Sequence, residues 1–215
     1  MKEEAQEKSV EFESNSKPYL AKRLIADGFD TVLIFGLFML FVFLLMQSPL
    51  AGAYNRHYDR YREIETETKD MFGGDAVRAA EALKANAEYS DERFAASLNS
   101  FVLKAYAGFM AAVPVLLAVP LLNKYRATPG KLMTGIMPLH ERRQRSAVWY
   151  QILSRFLIIV ITGLGAYLIV GVWTFVLVPV IRLTVLLCSK KNKTILDMIT
   201  GIMIIEKLSY SGIKH

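Results

Sequence analysis

One arginine and two aspartates lie close together near the start of a long apolar segment: Arg23, Asp27 and Asp30. Their spacing of i, i+4 and i+7 places all three side chains on one face of a helix. At 1.5 Å per residue, the two aspartates lie about 6 and 10 Å beyond Arg23. Carboxylates at such a depth suit cation or proton binding, and ion pairs that fix helix packing need the same residues. The sequence leaves both interpretations open.

The helix that carries these groups belongs to a chain dominated by apolar blocks. Of its 215 residues, 53% are hydrophobic and 21% are charged, and the mean hydropathy is positive. This composition excludes intrinsic disorder. Charge-free runs cover 31–55, 105–123 and 156–181, and about 20 apolar residues are enough to cross the hydrocarbon core of a bilayer. The sequence therefore predicts an integral membrane protein.

We predict an all-α, four-span helical bundle, with spans at about 29–50, 101–122, 151–167 and 172–189. The last apolar stretch is divided into two spans because a single helix of 38 residues would be roughly 57 Å long, too long for one crossing. Its turn is expected near 167–171. Pro114 and Pro120 predict a kink in span two, where neighbouring groups satisfy the freed carbonyls.

Charge asymmetry between the loops predicts the orientation. The loop 123–150 carries six lysines and arginines against one glutamate, which indicates a cytoplasmic location. The acidic loop 51–100 then lies outside, and both termini lie inside a multi-pass protein of the cell membrane. The resulting organisation is a polar cytoplasmic tail over 1–17, a membrane domain over 18–207 and a second cytoplasmic tail over 208–215.

The outer loop 51–100 is itself expected to be helical. Apolar and aromatic residues recur at helical spacing over 54–64, and Gly73-Gly74 ends that helix. A second helix follows Asp75, and Ser90 is the predicted N-cap of a third. The resulting hairpin either caps the bundle or binds a ligand or partner.

Two cytoplasmic loop motifs share a tetrapeptide. Thr128-Pro129-Gly130-Lys131 precedes Thr-Gly-Ile-Met at 134–137, and a segment containing Asp197 precedes the same four residues at 200–203. Both copies lead into apolar residues, which predicts two short strands that pair at the cytoplasmic face. Gly130 after a proline predicts a type II turn.

Two arginines follow in the last apolar stretch. Arg182 is the only charge in the final run, about 12 Å from its cytoplasmic end. Since a lone charge at that depth costs at least about 2.5 kcal/mol, we predict that it pairs with Asp30 or, failing that, with Asp27. The alternative is that Arg182 snorkels to the headgroups. Arg155 is expected to lie close enough to the interface to need no partner.

Together these residues resemble the RDD family of bacterial and archaeal membrane proteins, over roughly 17–207. The resemblance rests on an arginine and aspartates in the first span, the Thr-Pro-Gly-Lys loop and a Leu-Asp before the terminal Thr-Gly. It implies that Arg23, Asp27 and Asp30 are the name-giving residues, and that Lys131 and Asp197 are the loop positions. Where the family usually has histidine before the last aspartate, this chain has Leu196, so a proton relay through that histidine is excluded.

Enzyme and cofactor signatures are missing from the sequence. It contains no Walker, zinc-protease, nucleophile-elbow or dinucleotide motif, and its three histidines lack metal-ligand spacing. We therefore expect no enzyme, no cofactor, no metal and no nucleic-acid partner. The expected partners are the lipid bilayer, anionic lipid at the basic inner loop, and either a second copy of the chain or another membrane protein.

Two functions remain open at this point. The first is an accessory or assembly protein of the cytoplasmic membrane, which a narrow four-span bundle favours. The alternative is a cation or proton transporter or antiporter subunit that uses the carboxylates of the first span, since the resemblance implies an association with sodium–proton exchange.

Overall fold

The computed structural model describes residues 20–73, 75–140, 146–188 and 194–206. The tails at 1–17 and 208–215, the center of the basic inner loop and the lysines at 190–193 lie outside these ranges. The described residues form two compact units, one made of residues up to Leu37 and from Ala111 onward, the other of Phe38–Met110. The elements, in chain order, are α1 (Leu20–Met46), α2 (Gly52–Met71), α3 (Ala76–Ala85), α4 (Ala87–Ala112), α5 (Val119–Leu122), α6 (Pro129–Thr134), β1 (Ile136–His140), α7 (Trp149–Val170), α8 (Thr174–Cys188), α9 (Ile195–Thr200) and β2 (Ile202–Glu206).

Three helices within the described ranges are long and apolar enough to cross a membrane: Leu20–Met46, Ala87–Leu122 and Trp149–Val170. They contain the first three predicted spans, and each extends beyond the predicted bounds. The fourth predicted span corresponds to α8, whose 15 residues measure about 22 Å, less than the ~30 Å hydrocarbon core. The predicted turn is found at Gly171, which has φ +61° and starts a short 3₁₀ turn to Trp173.

The prolines of the second long helix lie at a change of helix type. Between α4 and α5, residues Val113–Ala118 form a π-helical stretch that contains Pro114. A proline removes one helical hydrogen bond, and the wider π turn is a known way to absorb that loss. The irregularity expected from Pro114 is therefore local, and the helix continues to Leu122.

The unit Phe38–Met110 contains the predicted helical hairpin. Tyr54, Tyr58 and Tyr61 stack in sequence along α2, and Tyr61 meets Tyr89 of α4 edge to face with ring centroids 6.1 Å apart. His57 Nδ1 lies 2.6 Å from a carboxylate oxygen of Glu92. These contacts hold α2 against the start of α4.

The helix boundaries of this unit follow local capping groups. α2 ends at Met71 before Gly73, which has φ +57°, and the Asp75 side chain accepts hydrogen bonds from two amides at the start of α3. The prediction of Ser90 as an N-cap is wrong. The side chain of Asn86 accepts from the amide of Tyr89 instead, so α4 begins four residues earlier than the Ser90 cap would allow.

The two loop motifs form the predicted pair of strands. β1 and β2 are antiparallel, with Ile136 opposite Glu206 and Pro138 opposite Ile204. In each copy of the shared tetrapeptide the glycine ends a helix in the left-handed conformation, with φ +69° at Gly135 and +61° at Gly201. The following isoleucine begins the strand, so the tetrapeptide encodes a helix end followed by a strand.

The likeness of the two copies extends well beyond four residues. Thr128 and Thr194 are the N-caps of α6 and α9, each helix has six residues, and each ends in a left-handed glycine. Burial alternates in the same way along both helices. Their offset of 66 residues also relates the ends of the preceding helices at Leu122 and Cys188. Since Pro138 and Ile204 are equivalent and pair with each other, the two α–β units are related by a local two-fold axis through that pair.

A buried charge cluster as candidate functional site

Asp197 is fixed by the first turn of α9. Its amide donates to Thr194 Oγ1, and its Oδ2 accepts from the Thr194 amide, both at 3.1 Å. This reciprocal arrangement is a capping box, which satisfies two amides that a helix start leaves without partners. The carboxylate of Asp197 is therefore held in one orientation, and the residue is 1% exposed.

Two arginines from different helices bind this carboxylate. Arg23 Nη2 of α1 donates to Oδ2 at 2.9 Å, and Arg155 Nη2 of α7 lies 2.8 Å from Oδ1. Burial alone would raise the pKa of Asp197, but Arg155, Arg23 and the nearby Lys131 lower it to about 2. Asp197 is therefore ionised and joins three elements that are far apart in sequence.

The expectation that Arg155 needs no partner is wrong. The side chain of Arg155 is largely buried, because α9 turns back against the start of α7 and brings Asp197 to it. Gln151, one turn earlier, donates to the carbonyl of Thr200 at 2.8 Å and accepts from the amide of Val148 at 3.1 Å. Gln151 and Arg155 are spaced i, i+4 at the start of a span, as Arg23 and Asp27 are, and this shared spacing is the signal that could have found them.

Asp30 binds the start of α6. Its Oδ1 accepts from the Gly130 amide at 2.7 Å, and its Oδ2 accepts from the Thr128 hydroxyl. Both donors belong to the first turn of α6, where amides lack helical partners and the helix dipole favours a negative charge. The buried carboxylate of Asp30 is thus satisfied by α6.

The predicted type II turn at Gly130 is wrong. Pro129 is the first residue of α6, where its fixed φ suits a helix start. Gly130 does not have positive φ and is required for a different reason. A Cβ atom on it would lie 2.1 Å from the backbone oxygen of Ala26, so only glycine lets α6 approach α1 closely enough to reach Asp30.

Lys131 occupies the position in α6 that Asp197 occupies in α9. It is 9% exposed. Burial, and secondarily the charge of Arg155, lower its pKa to about 8, against the opposing effect of Asp27, Asp30 and Asp197. Lys131 thus brings a third cation to a cluster that already contains two arginines and three aspartates.

A small cavity lies at the middle of the cluster. Its volume is about 10 Å³, close to the minimum that a single water needs. Arg155 lines it, and Arg155 Nη1 is buried with no hydrogen-bond partner in the described part of the chain. The residues that line it are Arg23, Asp27, Lys131, Ile136, Arg155, Thr194, Asp197 and Ile204.

Most of the residues singled out from sequence therefore lie in this one region. Arg23, Asp27, Lys131 and Asp197 surround the cavity, and Asp30 binds Thr128 and Gly130 beside it. The side chain of Arg182 lies outside the described residues, so its pairing with Asp30 stays a prediction. Over the described ranges, no three histidine, cysteine, aspartate or glutamate side chains are grouped as a metal site would require.

Comparison with known proteins confirms the resemblance. No curated protein and no solved structure matches the chain. The model of the RDD family matches residues 17–201, which covers α1, the cluster and both α–β units up to Gly201. The chain is therefore a member of the RDD family, with helices of membrane-spanning length.

Proposed function

We propose that this protein is an accessory or assembly protein of the cytoplasmic membrane that does not itself transport ions. The observation that carries the proposal is the engagement of its buried carboxylates within the chain. Asp197 is bound by two arginines, and Asp30 accepts two hydrogen bonds from α6. Groups held in this way stabilise a packing arrangement, whereas a transport site must release its counter-charges to a moving ion.

The charge balance and the size of the cavity support the same function. The cluster contains three cationic and three anionic side chains, so no net charge remains for an added cation to neutralise. A cavity of about 10 Å³ has room for about one water. A cation or proton pathway through this unit would need the ion pairs to open.

The partner-binding part of the proposal lies in the unit Phe38–Met110. Met71, Val77 and Phe94 are large apolar side chains that are mostly exposed there, on helices that also carry many charges. Exposed apolar groups rimmed by polar residues are typical of contact sites between proteins. We propose that a membrane-protein partner covers them.

The topology that we propose has four spans, with both termini in the cytoplasm and the loop 51–100 outside. The positive-inside bias of the loop 123–150 supports it. Single cysteines at Ala76 and Ser146, on a Cys188→Ser background, test the orientation with an impermeant maleimide added to whole cells. We expect labelling at position 76 only. Labelling at 146 and not at 76 would overturn the orientation.

A flux assay tests the functional proposal directly. Purified protein in proteoliposomes is exposed to a sodium gradient while a pH-sensitive dye reports internal pH. We expect no sodium-dependent proton flux above that of protein-free liposomes. Flux that is lost in Asp27→Asn and Asp30→Asn, and kept in the capping variant Asp75→Asn, would establish the transporter alternative instead.

Photo-cross-linking in cells tests the partner. A photoreactive amino acid is placed at Met71, Val77 or Phe94, with Val32 in the first span as the control of similar exposure. We expect a discrete protein adduct from the first three positions and lipid adducts from Val32. If no position in the outer unit gives a protein adduct, the partner-binding role is wrong.

A further inference from the structure

The two short helices α6 and α9 expose apolar side chains at matching positions. Leu132 and Met133 of α6 correspond to Met198 and Ile199 of α9, and all four are exposed, as is Ile195. None of these exposed positions carries a charge. A helix face that met water on both copies of a repeated unit would be expected to contain charged or polar residues.

Each short helix is tied closely to the end of a hydrophobic helix. Six residues separate Leu122 from Pro129, and six separate Cys188 from Ile195. Six extended residues reach at most about 22 Å, and both segments carry basic residues. These are Lys124, Arg126, Lys190, Lys191 and Lys193. Two apolar faces are therefore held near helix ends, each next to a cationic segment.

The level of α9 along the third long helix is known from its hydrogen bonds. The carbonyl of Thr200, at the end of α9, accepts from Gln151 in the first turn of α7. Next to Gln151, Trp149 and Tyr150 are exposed and meet edge to face. Tryptophan and tyrosine concentrate where the headgroups of a bilayer meet its hydrocarbon. The end of α9 thus lies at the level of an aromatic pair typical of that boundary.

We propose that the exposed faces of α6 and α9 form one paired lipid-contacting surface at the boundary between headgroups and acyl chains. The occupant is a bilayer leaflet that contains anionic lipid, because apolar faces flanked by lysine and arginine match acyl chains beside negative headgroups. The two-fold relation of the α–β units places equivalent side chains on both helices toward the same leaflet. This surface goes beyond the accessory role and holds whether or not the protein transports an ion.

Matched exposure in three environments makes the proposal testable. Val32 in α1, Met133 in α6 and Val77 in α3 are 71%, 69% and 69% exposed, and Ile199 in α9 is 63% exposed. Each is replaced singly by cysteine in the Cys188→Ser full-length chain, labelled with a small fluorophore and placed in vesicles. Quenching by iodide reports contact with water, and quenching by lipids with a nitroxide near the headgroup reports contact with the boundary.

We expect the labels at 133 and 199 to be quenched several-fold more by the lipid nitroxide than the label at 77, and several-fold less by iodide. The label at 32 should resist iodide most. Adding phosphatidylglycerol to phosphatidylcholine vesicles should further reduce iodide quenching at 133 and 199 only. If both positions behave like 77, the lipid surface is wrong. If only one of them contacts lipid, the pairing is wrong. No response to phosphatidylglycerol would overturn the preference for anionic lipid.

Discussion

The α6–β1 and α9–β2 units share a threonine cap, a six-residue helix, a left-handed glycine and a strand, yet they are attached to the long helices by different forces. The third residue of α9 is Asp197, which binds two arginines. The third residue of α6 is Lys131, and the docking of α6 depends on hydrogen bonds to Asp30 and on close approach at Gly130. The same backbone has thus been fixed once by ion pairs and once by contact.

This difference shows which residues determine the backbone and which determine the docking. Caps and left-handed glycines occur in both units, so they specify the helix and the turn into the strand. The second and third helical positions differ in type and decide what each unit binds. Substitutions at these positions should therefore affect the two units unequally, whereas substitutions at the shared glycines should affect them equally.

The largest expected effect is at Asp197. Asp197→Asn leaves Arg23 and Arg155 buried without this carboxylate, and breaking a buried pair in this way costs about 3–5 kcal/mol. Lys131→Met, at the equivalent position, removes a charge that burial already disfavours and should cost less than about 1.5 kcal/mol. Thermal unfolding of the detergent-solubilised proteins measures both. Equal losses would show that the two units are docked by the same kind of force.

The next effect is at Gly130. Gly130→Ala places a methyl group against the backbone of Ala26 and should lower stability by about 1–3 kcal/mol, since overpacking forces neighbouring groups to move. Gly163→Ala is the matched control, because a Cβ there meets nothing within 4 Å. Denaturant unfolding compares the two. A Gly130→Ala protein as stable as the control would mean that α6 does not need close contact with α1.

The pH dependence should separate the two units at opposite extremes. The pKa of Asp197 is lowered from 3.8 to about 2, so its contribution is present above pH 3.8 and is lost as pH falls toward 2. The pKa of Lys131 is lowered from 10.5 to about 8, so stability should rise with pH between these values. In that range the unfolded chain holds a proton that the folded chain has released.

Each of these two contributions is on the order of 2 kcal/mol. Unfolding of the purified protein at pH 2 to 10 measures both, with the variants as controls. Asp197→Asn should lose the acid dependence and keep the alkaline rise, and Lys131→Met should do the reverse. An alkaline rise that persists in Lys131→Met would assign it to another group.

The smallest effect is expected at the shared glycines. Gly135→Ala and Gly201→Ala each force a side chain into the left-handed region, which costs about 1–2 kcal/mol. Because both glycines end equivalent helices, the two losses should agree. Gly36→Ala, in the open interior of α1, should instead gain up to about 1 kcal/mol. Clearly unequal losses at 135 and 201 would contradict the equivalence of the units.

The sequence predicted the parts of this fold that depend on local pattern. Apolar runs predicted the long helices, and the repeated Thr-Gly-Ile-Met predicted a pair of strands, because hydrophobic length and repetition are visible in a single chain. Arg23 and Asp27 were found through their spacing on one helix face. The resemblance to the RDD family depended on the order of these short motifs.

The misses depended on distant contacts. Nothing near Gly130 in the sequence reveals that Ala26 will approach it, so its proline neighbour suggested a turn. Arg155 was judged by its depth in a span, because depth can be counted along the chain. Its partner Asp197 lies 42 residues further on, in a helix that folds back. Asn86 prevailed over Ser90 as a cap because capping depends on backbone conformation as well as residue type.

The pairing of Arg23 with Asp197, 174 residues apart, has a consequence for how the protein is made. At roughly 5–20 residues per second, the ribosome synthesises Arg23 about 10 to 35 seconds before its counter-ion. During that interval α1 and then α7 enter the membrane with arginines that Asp197 cannot yet neutralise. Completion of α9 is therefore the event that closes the core, and a chain that stops short of it presents two buried cations to the quality-control machinery of the membrane.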